Sequence, residues 1–227
     1  MYLPGYYANS DAQALQALMR AHPLATLISQ GPEGPCADHI PLEFDADDGP
    51  HGCLIGHVAR ANPVWQQAPG QAVLAVFQGP QAYISPNHYP SKAVHHRVVP
   101  TWNYAVVHAH GTLQIEQDPA WVLALVTRLT HRHEAASARP WSVSDAPAKH
   151  VQRLLSAIVG IRIPLTRLMG KWKISQNQSE ADRLGAASGL EQAAAQSSAP
   201  ELQPQLAMAR LMRDHGVRPP PADKEPS

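Results

Sequence analysis

The first half of this chain is cut into short apolar runs separated by Gly- and Pro-rich turns, with very little helical periodicity between them. Residues 24–29, 37–44, 53–57, 71–77 and 81–85 each read as a strand. In the second run Ile40, Leu42 and Phe44 alternate, which puts His39 and Pro41 on the opposite face. Gly31-Pro32-Glu33-Gly34-Pro35 is turn chemistry and predicts a hairpin. Gly79-Pro80 is expected to break one strand from the next. The 22 prolines among 227 residues, about twice the usual share, supply much of this punctuation. Parallel strands need a crossover of a dozen or more residues, and this spacing leaves no room for regular ones. The pattern therefore predicts an α+β protein, a mainly antiparallel barrel with peripheral helices.

Further elements follow the same logic. Ser10 opens a helix that Pro23 stops, and Pro63 opens a short one through Gln67. Residues 86–100 form a long loop, and 101–116 a strand. Asp118-Pro119 has cap character, followed by the stripe Trp121, Val122, Leu125, Val126 and Leu129. A helix starting near Asp145 and Pro147 is expected to carry Val151, Leu154, Leu155 and Ile158. Ile161, Ile163 and Leu165 alternate as a late strand, and helices are expected over 179–195 and 206–212. The resulting division is a domain over 1–177, a helical extension over 178–217 and a disordered tail over 218–227.

Composition narrows the function classes. Lys plus Arg equals Asp plus Glu, 18 each, so no global field draws the chain to nucleic acid or an anionic membrane. No apolar run reaches 18 residues, so no membrane-spanning helix is expected. The start MYLPGYYANSD lacks the basic and apolar regions of a signal peptide. The two cysteines, Cys36 and Cys53, make no CxxC pair and are expected to be reduced, as in a cytoplasmic protein. Neither a glycine-rich dinucleotide fingerprint, a P-loop, a zincin motif nor a nucleophile elbow occurs. No metal site is expected.

Several segments carry chemistry-bearing residues. His57-Val58-Ala59-Arg60-Ala61-Asn62-Pro63 leaves a strand and enters a helix, offering a forked cation and an amide that suit a phosphate. The same residues also suit an ordinary surface Arg and an Asn cap. Ser85 lies before the long loop and Thr101-Trp102-Asn103 after it, so hydroxyls, an amide and aromatics converge if the strands pair. Trp102 and Tyr104 are equally readable as core aromatics. In Gly170-Lys171-Trp172-Lys173-Ile174-Ser175-Gln176-Asn177, a lysine could neutralise a phosphate and Trp172 could cover a ring. That segment also reads as a basic patch, or as a solvated loop anchored by its Trp. His108 and His110 share a strand face, a spacing that can hold a metal, while His131 and His133 diverge on a helix; polar surface or a satisfied core histidine accounts for either pair.

Taken in order, MYLP, GHVARANP, AYISP, VPTWNY, LTHRHE, IVGIRI, GKWKISQN and SEADR resemble the PaiB family of FMN-binding negative transcriptional regulators, over residues 1 to about 190. The resemblance implies a split β-barrel that binds FMN, usually as a homodimer with the flavin near the subunit interface. It places His57, Val58, Ala59, Arg60 and Asn62 at the flavin phosphate and ribityl chain, and His39 along the ring. Ser85, Lys92, Thr101, Trp102, Asn103, Lys171, Trp172 and Gln176 are its further cofactor candidates. One departure is His88, which stands where the family pattern has Trp; Lys92 still matches. No catalytic residue is assigned. The alternatives to a regulator are an FMN-dependent oxidoreductase of a small molecule and a haem-binding split-barrel protein. Direct DNA binding has weak support, since no helix-turn-helix pattern is evident.

Overall fold

The computed structural model describes residues 1–196 and 203–214. The expected tail over 218–227 lies outside the described residues. The described residues form nine strands: β1 (Ala8–Asn9), β2 (Leu24–Gly31), β3 (Gly34–Pro41), β4 (Glu43–Asp45), β5 (Cys53–Ala59), β6 (Ala72–Ile84), β7 (Thr101–Thr112), β8 (Gln114–Glu116) and β9 (Ile158–Lys173). Among the described residues seven α-helices accompany them: α1 (Ala12–Ala21), α2 (Val64–Gln67), α3 (Lys92–His95), α4 (Pro119–Glu134), α5 (Ala148–Ser156), α6 (Glu180–Ala195) and α7 (Gln203–Asp214). The strand order is β3-β2-β6-β7-β9-β5-β4, with β1 and β8 also pairing to β9. The α+β class and the antiparallel sheet with peripheral helices are as the sequence predicts.

Contacts gather into two compact units. One holds Gln16–Phe77 and His108–Leu168. Its β2–β3 hairpin turns on Pro32 and Glu33, with Gly34 at a φ of 123° that a side chain would resist. On β5, Cys53 and Ile55 face outward onto α4, packing against Leu125, Trp121 and Leu129. Gly56 faces the other way, and a Cβ there would lie 2.8 Å from Leu42. Glu43 is only 7% exposed, and its carboxylate holds Arg128 at 2.7 Å and Arg132 at 2.9 Å. That pair of bonds fastens α4 to β4. Asp118 caps α4 by accepting from Ala120 N–H, as its sequence suggests.

The other unit holds Met1–Leu15, Gln78–Val107 and the described residues from Met169 onward. Here β1 pairs the end of β9, Ala8 opposite Lys171. Ser179 caps α6, whose buried Ala186, Ala187 and Leu190 accompany the fully buried Met208, Ala209 and Met212 of α7. Arg213 of α7 binds Glu191 and Ser188 of α6. The glycines of α6 admit close neighbours: a Cβ on Gly189 would collide with the His88 ring. Helices α6 and α7 thus share a compact unit with residues 78–107.

Several boundaries differ from the sequence prediction; the strand expected over 37–44 breaks at Leu42 into β3 and β4, and that over 101–116 breaks at Leu113 into β7 and β8. Gly79-Pro80 does not end a strand; β6 runs through it to Ile84. A Pro removes one ladder donor, and a strand tolerates that where no partner needs the donor. Ile158 does not belong to the helix. α5 stops at Ser156, and Ile158 begins β9 opposite Ala59 of β5.

Candidate flavin site

The residues expected at the flavin fall into two groups, one in each compact unit. In the unit built on β5, His39 is exposed on β3 opposite Thr26. Val58 is buried and Ala59 exposed, as strand alternation requires. Asn62 accepts from Val64 N–H at 2.9 Å, capping α2, and donates to Asp38 Oδ1 at 2.7 Å. It thereby ties the turn after β5 to the strand that carries His39. His57 lies on the outward face of β5, its Nδ1 buried without a hydrogen-bond partner. Burial lowers its pKa below the usual histidine value.

Arg60 makes a different set of contacts from the one its spacing suggests. Its Nε donates to Ser156 O at 2.8 Å and its Nη2 to Ile158 O at 3.1 Å, with Gln117 Oε1 at 3.4 Å from Nη1. These are carbonyls just past the α5 C-terminus, where a cation meets the negative end of the helix. The guanidinium is also 5.6 Å from the Trp65 ring centroid. In this arrangement it caps α5, and it also lines a cavity of about 410 Å³ together with Gln117, Val122, Gln152 and Leu155.

The second group lies in the other unit. Ser85 accepts from Asn87 N–H at 3.2 Å and caps the turn Pro86–His88. Lys92 Nζ donates to Asn87 Oδ1 at 2.5 Å. Asn103 is fully buried; its Nδ2 donates to Ser175 Oγ at 2.9 Å, and its Oδ1 has no partner. Gln176 closes the turn after β9, donating to Trp172 O and accepting from Ile174 N–H. Trp102 is 56% exposed and stands edge-on to Tyr83, ring centroids 6.0 Å apart.

The segment Gly170–Lys173 is strand, not loop, and this reassigns its parts. Alternation puts Lys171 and Lys173 on one face of β9 and Trp172 on the other. Trp172 is 4% exposed, and a Cβ on Gly170 would lie 2.7 Å from its ring. It is a core side chain and does not cover a ligand ring beside the lysines. Lys171 Nζ donates to Tyr2 O at 3.0 Å and lies 5.4–5.9 Å from the Tyr2, Tyr7 and Tyr104 ring centroids. Lys173 Nζ donates to Thr101 Oγ1 and to Trp102 O. Burial, and then the neighbouring Lys171, lower the Lys173 pKa below the usual lysine value. The tyrosines around Lys171 were not expected, although the aromatic start MYLPGYY was a visible signal.

None of these cations is neutralised by a carboxylate. The ion pairs among the described residues involve Arg128, Arg132, Arg162, Arg183 and Arg213. Among the described residues, the hydrogen bonds of Arg60, Lys92, Lys171 and Lys173 go to carbonyl, hydroxyl or amide oxygens.

Residues 1–167 match the family described as "Putative FMN-binding domain". This chain belongs to that FMN-binding family. It is 35% identical to an uncharacterized protein of Emericella nidulans, over 84% of this chain and 90% of that one. It is 31% identical to protease synthase and sporulation protein PAI 2 of Bacillus subtilis, over 80% of this chain and 85% of that one. Among solved structures, a flavocytochrome from Azotobacter vinelandii matches with a TM-score of 0.54 at 14% identity, over 74% of this chain and 69% of that one. An FAD- and haem-binding protein from Mycobacterium smegmatis matches with a TM-score of 0.53 at 14% identity, over 74% and 73%. At those identities the likeness is one of fold, the split β-barrel.

FMN is the cofactor of this FMN-binding family, and the residues present fit its phosphate. An FMN-binding chain must meet a group of nearly two negative charges. Lys171, buried at 7% exposure, and Lys173, partly buried, place two ammonium groups on one strand face, held by neutral oxygens and, for Lys171, by tyrosine rings. A dianion beside them would offset the burial and, after it, the repulsion from Lys171 that lower the Lys173 pKa.

Proposed function

We propose that the chain is an FMN-binding negative regulator of transcription, acting as a cytoplasmic homodimer, with the flavin phosphate held at Lys171 and Lys173. The observation that carries the phosphate assignment is this pair of lysines without a counter-ion on one face of β9. Thr101 and the Trp102 carbonyl orient the Lys173 ammonium. The exposed Trp102 ring offers a flat surface to the isoalloxazine. When bound, FMN supplies a redox-active ring; the protein supplies orientation, charge and water exclusion.

The regulatory role draws on the likeness to PaiB-type proteins. The exposed Tyr83–Trp102 pair, with Val94 and Val99 also exposed, supports a surface that a second copy covers. Two unbridged cysteines support a reducing compartment, and among the described residues no helix is long and apolar enough to cross a membrane.

A yellow preparation with a flavin absorption band, and a salt-dependent gel shift with promoter DNA, is the expected result. A flavin-loaded protein that ignores DNA at low salt but is reduced by NADH or NADPH favours the oxidoreductase reading instead. The haem reading gains little from the histidines, because His110 Nε2 lies 3.3 Å from the Arg167 guanidinium. A Soret band on haem titration that is lost on changing His108 would restore it.

A further inference from the structure

A cavity of about 350 Å³ lies between the β2–β3 hairpin and α2, all within the unit built on β5. Polar side chains from three elements meet there: Ser29 on β2, Cys36 and Asp38 on β3, and Gln67 on α2. No described Lys, Arg or His lines it. The strand register explains the convergence. Ser29 pairs with Cys36, so both side chains leave the same face of the hairpin, and Asp38, two residues along β3, shares that face. Gly31 is next on that face of β2. A Cβ there would lie 2.7 Å from Cys36 Sγ and 4.0 Å from Gln67 Oε1, so the missing side chain lets the thiol and the amide flank one opening.

The groups on this face are uncommitted. Cys36 is exposed, its thiol reaching only Gly34 O at 3.7 Å. Ser29 is 7% exposed and lines the cavity, yet its hydroxyl makes no hydrogen bond to a described residue. A hydroxyl that deep usually has a partner, so an unbonded one on a cavity wall points to an occupant that supplies it. Asp38 accepts from Asn62 through Oδ1 and enters none of the ion pairs among the described residues. Asn62 uses both ends of its amide, at Asp38 and at the α2 cap, and so holds the wall in place. The other thiol, Cys53, is buried, and burial pushes its pKa up to about 11, which keeps it protonated at neutral pH.

We infer that Cys36 is a reversible thiol–disulfide exchange site whose preferred partner is a small disulfide carrying an ammonium group two carbons from sulfur. Solvent takes the Cys36 proton, and the thiolate attacks one sulfur of the disulfide. The new Sγ–S bond forms as the ligand's S–S bond breaks; Cys36 is oxidised, and the other half of the ligand leaves as a thiolate, reduced, and takes a proton from water. Residues two apart on a strand stand roughly 6–7 Å apart, a span that an aminoethyl arm on Cys36 covers to bring its ammonium to Asp38. The Ser29 hydroxyl, diagonal to Asp38 across the strand pair, offers the ammonium a second acceptor. A flavin phosphate would meet a carboxylate and no cation on these walls, and the flavin reading is not a premise of the site.

The test is the rate of adduct formation on the full-length protein, followed by intact and peptide mass. The reagents are cystamine, neutral bis(2-hydroxyethyl) disulfide and anionic dithiodiglycolate, each rate divided by that of N-acetylcysteine amide with the same reagent. The adduct is expected at Cys36, removed by excess dithiothreitol, and formed alike with and without FMN. Cystamine should lead the neutral disulfide by about tenfold at low salt, as one close and partly screened ion pair allows, and the lead should shrink at high salt. Asp38→Asn can keep the Asn62 contact and should erase that lead, while the neutral disulfide's rate stays within about twofold. Ser29→Ala should reduce the lead by about threefold. Equal normalised rates for the three disulfides, an adduct at Cys53, or a cystamine lead that survives Asp38→Asn would overturn the inference. So would protection of Cys36 by FMN, which would make the cavity part of the flavin seat.

Discussion

Replacing Lys173 by Gln tests the phosphate site most directly. The ammonium is half-buried and bonded to Thr101 Oγ1 and Trp102 O, which Gln can still reach as a neutral donor. What the variant removes is charge. A charge-assisted bond contributes about 1.5–3 kcal/mol, and two unit charges 4 Å apart contribute about 1 kcal/mol even at the dielectric of water. With Lys171 retained, the expected loss for FMN is about 2 kcal/mol, roughly thirtyfold in Kd. Riboflavin lacks the phosphate, so its affinity should change by less than about threefold, the scatter expected from local repacking. The assay is flavin fluorescence quenching by wild type and variant with both ligands. The ratio of FMN to riboflavin affinity should collapse in Lys173→Gln. If both ligands weaken together, the lysine is only structural. If FMN binding is unaffected, the phosphate lies elsewhere and the counter-ion argument fails.

Other consequences can be measured in parallel. Because the Lys173 pKa is lowered in the free protein, FMN binding should take up protons at alkaline pH, and its affinity should fall as pH rises toward the usual lysine range. Calorimetry in buffers of different ionisation enthalpy would read that uptake, and Lys173→Gln should remove it. Arg60→Ala should remove the donors at the α5 C-terminus and destabilise the fold by about 1 kcal/mol, while FMN affinity stays within about threefold. Denaturant melts and flavin titration together check this, and large FMN loss with an unchanged midpoint would restore Arg60 as an anchor. Glu43→Gln should lower stability by about 1–3 kcal/mol, discounted because Arg128 and Arg132 remain partly exposed. A chemical-denaturation midpoint within error of wild type would contradict it. His57 has a lowered folded-state pKa, so the unfolded chain takes up its proton first as pH falls below about 6.5. Stability should therefore decline from pH 7 toward pH 5, with a shallower slope in His57→Leu.

The residues themselves determined much of the architecture. The alternation at Ile40, Leu42 and Phe44 is interrupted at Leu42, between β3 and β4, where Glu43 is buried as well, whereas the turn at Pro32-Glu33 and the Asp118 cap are local signals that reappear in the structure. They act within a few residues, where sterics and backbone hydrogen bonding are decided by neighbours in sequence. The ordered motifs also carried the flavin family, since they report chemistry and not contacts. Tertiary packing decided what those motifs face. Arg60 meets carbonyls 96 and 98 positions away, and Lys173 meets Thr101 and Trp102 some 70 positions away. Trp172 went to the core because Gly170–Lys173 became strand and gave its two faces opposite roles. Periodicity fixes which side chains share a face, but only the partner strand or helix laid against that face determines whether it becomes core, clasp or binding surface.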